Sequence, residues 1–255
     1  MDFFFTSESD TGTTRSSNED NLYVEQFVGS CGNVVFAVLC DGMGGLSHGE
    51  RASASLVSAF YRWAHSELPV LLESQPEDHV IRSQWTALIA EQNRELRRAG
   101  ALGGFRLGST ATAILLTESR YYILNIGDTR AYELRDGARQ LTEDHTVLVE
   151  ELQVREMTEK EQLNLPQRNA LTRCVGVEEH AYPDLFFGDT RSGSVYILCS
   201  DGFRHCVTEE EIYRELYPRS SDVSAALAVG QHALIELNKQ RGETDNISVI
   251  SICAL

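Results

Sequence analysis

The chain has 255 residues, of which 42% are hydrophobic and 24% charged, a composition typical of a globular protein with one sizeable core and not of a disordered one. Its formal net charge of −16 argues against a nucleic-acid groove and against a polybasic membrane-binding surface. The amino-terminal residues lack the features of a signal peptide, and no apolar run approaches the ~20 residues that span a bilayer. We therefore expect a soluble, cytoplasmic protein.

The cysteines give no sign of a zinc site, because none of the six stands in C-x-x-C spacing. Cys40, Cys199 and Cys253 lie within apolar runs, where a reduced thiol packs as a small hydrophobic side chain. This usage indicates a reducing compartment.

The first predicted element is a strand at 34–40, an apolar run of the kind that is buried on one or both faces. Apolar residues at helical spacing then predict two helices, one around 56–63 and one over 81–96. Two further apolar runs predict strands at 110–116 and 121–126. The helices thus come as a block and do not alternate with strands.

The second half begins with a charged stretch from Thr146 to Arg168, which we interpret as a surface flap with Thr158 as a helix cap. A strand is predicted at 195–199 and a closing strand at 247–253. Between them, apolar spacing predicts a helix over 223–237. Its N-cap is Ser221 or Asp222, and Gly242 ends it.

This order predicts an α+β fold in which antiparallel sheets carry helices on their outer faces, and not a doubly wound parallel sheet. No repeat or linker divides the chain, so we expect one domain over 1–255 with the flap at 146–168.

Aspartates stand at one end of four predicted strands. They are Asp41 after 34–40, Asp128 after 121–126, Asp201 after 195–199, and Asp245 before 247–253. For any one of them, a simple turn after a strand is the preferred explanation. The shared placement of all four instead favours a common site.

Carboxylates that converge without counter-charge repel one another and raise each other's pKa, a conflict that divalent cations remove. Hard ions such as Mg²⁺ or Mn²⁺ prefer oxygen ligands, whereas a cluster without histidine or cysteine suits zinc badly. Two such ions can clamp a phosphate group and activate a water molecule.

Arg15 lies four residues before the paired carboxylates Glu19 and Asp20. A guanidinium group can bind phosphate oxygens in a bidentate manner. Taken alone, the pattern is more typical of a surface arginine in a polar loop.

Eight short blocks follow one another in an order that is specific to one family. They are Gly12 with Arg15 and Asn18–Asp20; Asp41–Gly45 with Gly49–Ser53; Gly108–Ala111; Gly127–Tyr132; Leu141–His145; Pro166–Arg173 with Gly176; Leu198–Gly202; and Asp245–Asn246. Through these blocks the chain resembles the type 2C, metal-dependent serine/threonine phosphatases, in particular their single-domain bacterial members.

The resemblance implies two antiparallel sheets in a central sandwich, flanked by helices on both sides, with metal ions in a cleft at one end. It implies that Asp41 bridges two Mn²⁺ or Mg²⁺ ions and that the carbonyl of Gly42 ligates one of them. Asp201 and Asp245 would complete the other ion.

The resemblance assigns further roles at the same cleft. Glu19 and Asp20 would hold metal-bound waters, and Arg15 would bind the substrate phosphate. Bacterial relatives often bind a third, looser ion, which here would fall to Asp128 together with Asp201.

The implied function is hydrolysis of phosphoserine and phosphothreonine in proteins by a metal-activated water, opposing a bacterial-type Ser/Thr kinase. We expect phosphoprotein substrates, a cognate kinase and a monomer, without nucleic-acid or membrane partners. The first alternative is a catalytically weak phosphopeptide-binding regulatory module, which loss of a metal carboxylate would mark. A protein that binds Ca²⁺ for structure alone ranks last, since the chain has no EF-hand loop.

His145 follows Asp144, which makes a catalytic acid conceivable. We favour a structural role, with its ring bonded to neighbouring backbone near the base of the flap. The identity of the general acid stays open.

Overall fold

The computed structural model describes residues 1–30, 32–43, 48–73 and 77–255. Gly44 and Gly45, which belong to the second sequence block, and Cys31 lie outside the described residues.

The described residues form ten strands, which pair in antiparallel fashion throughout. In chain order they are β1 (Phe3–Asp10), β2 (Asp20–Gly29), β3 (Gly32–Asp41), β4 (Ala111–Leu116), β5 (Arg120–Ile126), β6 (Arg130–Leu134), β7 (Ala138–Gln140), β8 (Asp184–Asp189), β9 (Ser194–Cys199) and β10 (Ile247–Ala254). They build two five-stranded sheets with the orders β1-β10-β9-β6-β7 and β2-β3-β4-β5-β8. The chain therefore crosses between the sheets several times.

The described residues also form eight helices. They are α1 (Gly49–Ser66), α2 (Leu68–Leu71), α3 (Asp78–Gly103), α4 (Val147–Val154), α5 (Glu159–Asn164), α6 (Asp201–Arg204), α7 (Glu209–Leu216) and α8 (Val223–Gln240). α1 and α3 pack on the sheet that contains β3, and α7 and α8 pack on the sheet that contains β10. No helix in the described part of the chain is both long enough and apolar enough to cross a lipid bilayer.

The sequence of strand β3 is apolar without interruption because both faces of the strand are buried. Successive side chains of a strand point to opposite faces. Val35, Ala37 and Leu39 therefore pack between the two sheets, while Phe36 and Val38 pack against α1 and α3. Burial of such a side chain contributes roughly 1.5–3 kcal/mol to stability.

The structure confirms the predicted α+β sandwich. The five predicted strands correspond to β3, β4, β5, β9 and β10, and the three predicted helices to α1, α3 and α8. Asp222 is the N-cap of α8, since its carboxylate accepts a hydrogen bond from the amide of Ala225. Cys40, Cys199 and Cys253 are buried and free within the described residues, as their apolar surroundings indicate.

The segment 146–168 contains α4 and α5, and neither helix has a buried residue among those described. Thr146 caps α4, and Thr158 caps α5 through a capping box with Glu161. The predicted cap at Thr158 is thus confirmed.

Candidate active site

The four strand-end aspartates line one cavity of about 250 Å³. Asp41 ends β3 and Asp128 follows β5, whereas Asp201 follows β9 and Asp245 precedes β10. Because these strands belong to both sheets, the cavity lies at one end of the sandwich. Larger grooves of about 380 and 390 Å³ lie beside the helices and are lined by other residues.

Asp41 occupies the most strongly acidic surroundings of the four. Burial raises the pKa of its carboxyl well above the usual range, and the charges of Asp20, Asp201, Asp128 and Asp245 raise it further. Its backbone is fixed by Thr110, whose hydroxyl accepts a hydrogen bond from the amide of Asp41 at 2.9 Å. The aspartates that are distant in sequence therefore do converge.

Asp20 stands opposite Asp41 in the register of β2 and β3. Neither of its carboxylate oxygens accepts a hydrogen bond from the described residues, although the side chain is buried. Burial raises the pKa of Asp20 to about 7, and the nearby hydroxyls of Ser248 and Ser200 partly oppose this rise. A buried carboxylate without partners requires a proton or a cation.

Gly42 and Glu19 meet at the edge of the cavity, where the amide of Gly42 donates to the carbonyl of Glu19 at 3.1 Å. A Cβ atom on Gly42 would overlap the backbone of Gly49, so only glycine fits this close approach. Burial is the main cause that raises the pKa of the Glu19 carboxyl.

Arg15 lies in the loop between β1 and β2 and donates from Nη2 to Oδ2 of Asp245 at 2.8 Å. This hydrogen bond is the main cause that raises the pKa of Arg15. Its guanidinium group therefore already lies next to a residue that lines the cavity.

Asn246 fixes the loop that carries Arg15. Its side-chain oxygen accepts from the amide of Glu19, and its amide nitrogen donates to the carbonyls of Thr11 and Ser17. The sequence blocks include Asn246, but they did not indicate this positioning role.

Comparison with known proteins identifies the family. The sequence model of the protein phosphatase 2C family matches residues 13–234. The chain belongs to this family. The resemblance to this family seen in the sequence blocks is thereby confirmed.

Individual phosphatases of the family are similar over nearly the whole chain. The serine/threonine protein phosphatase PstP of Mycobacterium tuberculosis is 32% identical over 247 residues, which cover 96% of this chain and 44% of PstP. The chain thus spans less than half of the length of that relative.

Solved phosphatase structures share the fold. The serine/threonine phosphatase of S. agalactiae has a TM-score of 0.81 and 25% identity, covering 99% of this chain and all of that one. The catalytic domain of PstP, in a complex with two manganese ions, has a TM-score of 0.74 and 27% identity, covering 98% and 97% of the two chains.

Two arginines, Arg204 and Arg130, lie in the part of the site that carries Asp128. Asp128 follows Gly127, which adopts a φ of 111°. Arg204 donates to the carbonyl of Asp128 at 2.9 Å, and Arg130 forms a bidentate pair with Asp144. Burial and then the charge of Asp201 raise the pKa of Asp128 to about 7, which Arg204 partly opposes. The arginines were not predicted, because their spacing does not distinguish them from surface arginines.

His205 and Glu243 lie behind two of the predicted ligands. His205 stands 3.6 Å from Asp201 on one side and 3.5 Å from Glu243 on the other. The buried Glu243 also accepts from the backbone amide of Asp245 at 2.9 Å. Neither residue stands in a spacing typical of metal ligands, so no sequence signal marks His205 or Glu243.

His145 has the structural environment that we favoured. Its Nδ1 accepts from the amide of Gly127 at 3.2 Å, and its Nε2 lies 3.1 Å from Asp184 as a donor. Burial is the main cause that lowers the pKa of this imidazole. The ring holds the turn that carries Asp128.

The donor set fits divalent cations by its chemistry. Among the described residues, no group of three or more His, Cys, Asp or Glu side chains is arranged so that it could hold a metal ion as the side chains stand. The cavity nevertheless presents oxygen ligands from four aspartates. The carboxylate of Asp20, which has no hydrogen-bond donor among the described residues, stands opposite Asp41 in the sheet. Such a set suits Mg²⁺ or Mn²⁺.

Proposed function

We propose that this chain hydrolyses phosphoserine and phosphothreonine in proteins, using two Mn²⁺ or Mg²⁺ ions held at the strand-end carboxylates. The observation that carries the proposal is the convergence of four aspartates from both sheets on one cavity. Membership of the protein phosphatase 2C family and the similarity to PstP support the substrate class.

Asp41 and the carbonyl of Gly42 would hold the cations together with Asp201 and Asp245, and Glu19 and Asp20 would hold coordinated waters. When bound, the cations would supply a water of lowered pKa as nucleophile and offset the charge of the phosphate. His205 and Glu243 would fix the orientation of Asp201 and Asp245, as outer partners of metal ligands commonly do.

Arg15 would bind the substrate phosphate, because it lies at the rim and carries a planar donor pair. Asn246 would fix the loop so that this guanidinium group stays near the cavity. Residues 169–171, which directly follow the segment 146–168, line the cavity. We therefore infer that 146–168 is a flap that borders the bound substrate, within one domain formed by residues 1–255.

The partners follow from the reaction. We propose that the chain acts in the cytoplasm as a monomer on phosphoproteins and opposes a cognate Ser/Thr kinase. We propose no nucleic-acid partner, because the strongly negative net charge of the chain would repel the phosphate backbone.

The test is hydrolysis of a phosphothreonine peptide with Mn²⁺, with a chelator, and with the variants Asp41→Asn and Asp201→Asn. We expect chelation to abolish turnover and each variant to lose at least roughly 100-fold in kcat/KM, corresponding to about 3 kcal/mol of lost transition-state stabilisation. Asp136→Asn, at an exposed position in the turn between β6 and β7, is the matched control and should keep full activity.

Two results would contradict the proposal. Turnover in the presence of chelator would exclude a metal-dependent reaction. Tight binding of the phosphopeptide without any turnover would instead support a regulatory, phosphopeptide-binding module.

A further inference from the structure

Arg204 is placed where its positive charge faces Asp128. It is the last residue of α6, the short helix that begins at Asp201. Its Nη2 donates to the backbone carbonyl of Asp128 at 2.9 Å and lies 3.6 Å from Oδ2 of the same residue. Only 12% of the Arg204 side chain and 9% of the Asp128 side chain are exposed, so water screens this pair poorly.

The neighbouring acid, Asp144, already has a cation of its own. Arg130 donates to both of its carboxylate oxygens, at 2.8 and 2.7 Å, and Gln140 adds a further hydrogen bond at 3.0 Å. Arg204 Nη2 lies 3.5 Å from Oδ2 of Asp144 and 3.6 Å from Oδ2 of Asp128, so its charge faces both acids. Because Arg130 and Gln140 already partner Asp144, Asp128 is the acid for which Arg204 supplies the counter-charge.

Asp128 and Asp201 are the two acids to which a third, looser cation would fall, and Arg204 is anchored between the elements that carry them. We propose that Arg204 is the built-in counter-charge of Asp128, so that this chain binds two divalent cations at the site and not three. This inference rests on the two-cation function proposed above.

The anchoring makes displacement of Arg204 by a cation unfavourable. A divalent ion on Asp128 would stand next to a guanidinium group and be repelled by it. Rotation of Arg204 away from the site would break its hydrogen bond to the Asp128 carbonyl and leave that nearly buried carbonyl without its donor.

The experiment counts bound Mn²⁺ by isothermal titration calorimetry, with free Mn²⁺ measured by electron paramagnetic resonance. We expect two ions in the parent protein. Arg204→Met keeps a side chain of similar volume but removes the charge. This variant should bind a third ion with a dissociation constant at least tenfold lower than that of any third ion bound by the parent. Arg204→Lys should behave as the parent, and so should Arg214→Met, a substitution at an exposed arginine of α7.

Asp128→Asn shows whether the additional ion uses the proposed position. In the Arg204→Met background it should remove the third ion, whereas alone it should leave the parent count at two. The single Asp128→Asn variant keeps the inference testable if Arg204→Met does not fold, which circular dichroism would reveal.

The contradicting outcomes are distinct. Three ions in the parent, a count that falls on Asp128→Asn alone, or a folded Arg204→Met variant without an additional ion would each overturn the role of Arg204 while leaving the two-cation function intact. Absence of any bound Mn²⁺ in the parent would overturn the proposed function itself.

Discussion

Arg15 is held at the rim of the cavity by an ion pair that a bound phosphate can replace. The side chains of Arg15 and Asp245 are 38% and 32% exposed, and an ion pair of such exposure contributes at most about 1 kcal/mol. Exchange of the carboxylate for a phosphate group therefore costs little, and cations bound at Asp245 would weaken the pair further.

Arg15→Ala is accordingly expected to raise KM by about tenfold or more while it lowers kcat less, since a hydrogen bond to a charged group contributes about 1.5–3 kcal/mol. Steady-state kinetics on a phosphothreonine peptide measures both constants. Arg214→Ala, at a position 54% exposed on α7, should change neither. An unchanged KM for Arg15→Ala would show that this guanidinium group does not contact the bound phosphate.

His145 gives a prediction on pH. Burial lowers its pKa in the folded chain, although Asp184 and Glu143 favour the charged form while Arg173 disfavours it. Because this pKa is lower in the folded chain, the unfolded chain takes up a proton at a higher pH than the folded chain does. The contribution of His145 to the free energy of unfolding is therefore complete above about pH 6.5 and is lost as the pH falls below that value.

His145→Gln removes this titration, and the variant should lose less stability than the parent between about pH 7 and pH 5. Urea unfolding at pH 7 and at pH 5 gives the loss of unfolding free energy for the parent and for the variant. The other titratable groups contribute equally in both proteins, so their contributions cancel when the two losses are compared. Equal losses in the parent and the variant would indicate that His145 takes up its proton as readily in the folded chain as in the unfolded one.

The site residues divide into those that a sequence pattern reveals and those that only packing reveals. The four aspartates were predicted because each follows or precedes a buried strand. Asn246, Glu243 and Arg204 were not assigned roles, because their functions depend on partners far away in the sequence. Asn246, for example, bonds to Thr11 and Ser17.

Among the elements, the helices α5 and α7 begin with the same capping motif but differ in whether they pack against the core. Thr158 and Thr208 each form a capping box with a glutamate three residues later. α7 buries Ile212 and Leu216, whereas the described residues of α5 include none that is buried. The same cap is therefore coupled to the core in one helix only.

Thr208→Ala should lower the free energy of unfolding by about 0.5–2 kcal/mol, the usual contribution of such a cap. Thr158→Ala should leave global stability unchanged and only speed hydrogen exchange of the amides at 159–164. Urea unfolding and hydrogen exchange measure the two effects. Equal global losses would show that the flap unfolds together with the core.

Element prediction succeeded where burial on both faces leaves a continuous apolar run, as in β3 and β10. It failed for β1 and β2, whose partly exposed faces carry polar residues such as Glu8 and Glu25 and break the apolar pattern. The short helices α6 and α7 were missed as well, because four to eight residues give too few turns for a periodic signal.

At the scale of the whole molecule, the two sheets meet at the acidic cavity. β1 pairs with β10, so the two ends of the described chain lie side by side in one sheet, a pairing that no local pattern indicates. Asp20 and Asp41 come from one sheet, whereas Asp201 and Asp245 flank strands of the other. Their mutual repulsion therefore acts across the interface between the sheets.

Cations bound at this interface should stabilise the entire fold, because the unfolded chain no longer holds the acids together. At a Mn²⁺ concentration about 100-fold above the dissociation constant, binding adds about 2.7 kcal/mol to the free energy of unfolding. Thermal unfolding with and without Mn²⁺ measures this increase in the parent and in Asp41→Asn. We expect the variant to be at least as stable as the parent without metal, because it lacks a carboxylate that burial and its neighbours disfavour, and to gain much less from Mn²⁺. Equal gains in both proteins would place the stabilising cations away from Asp41 and so separate metal binding from the junction of the two sheets.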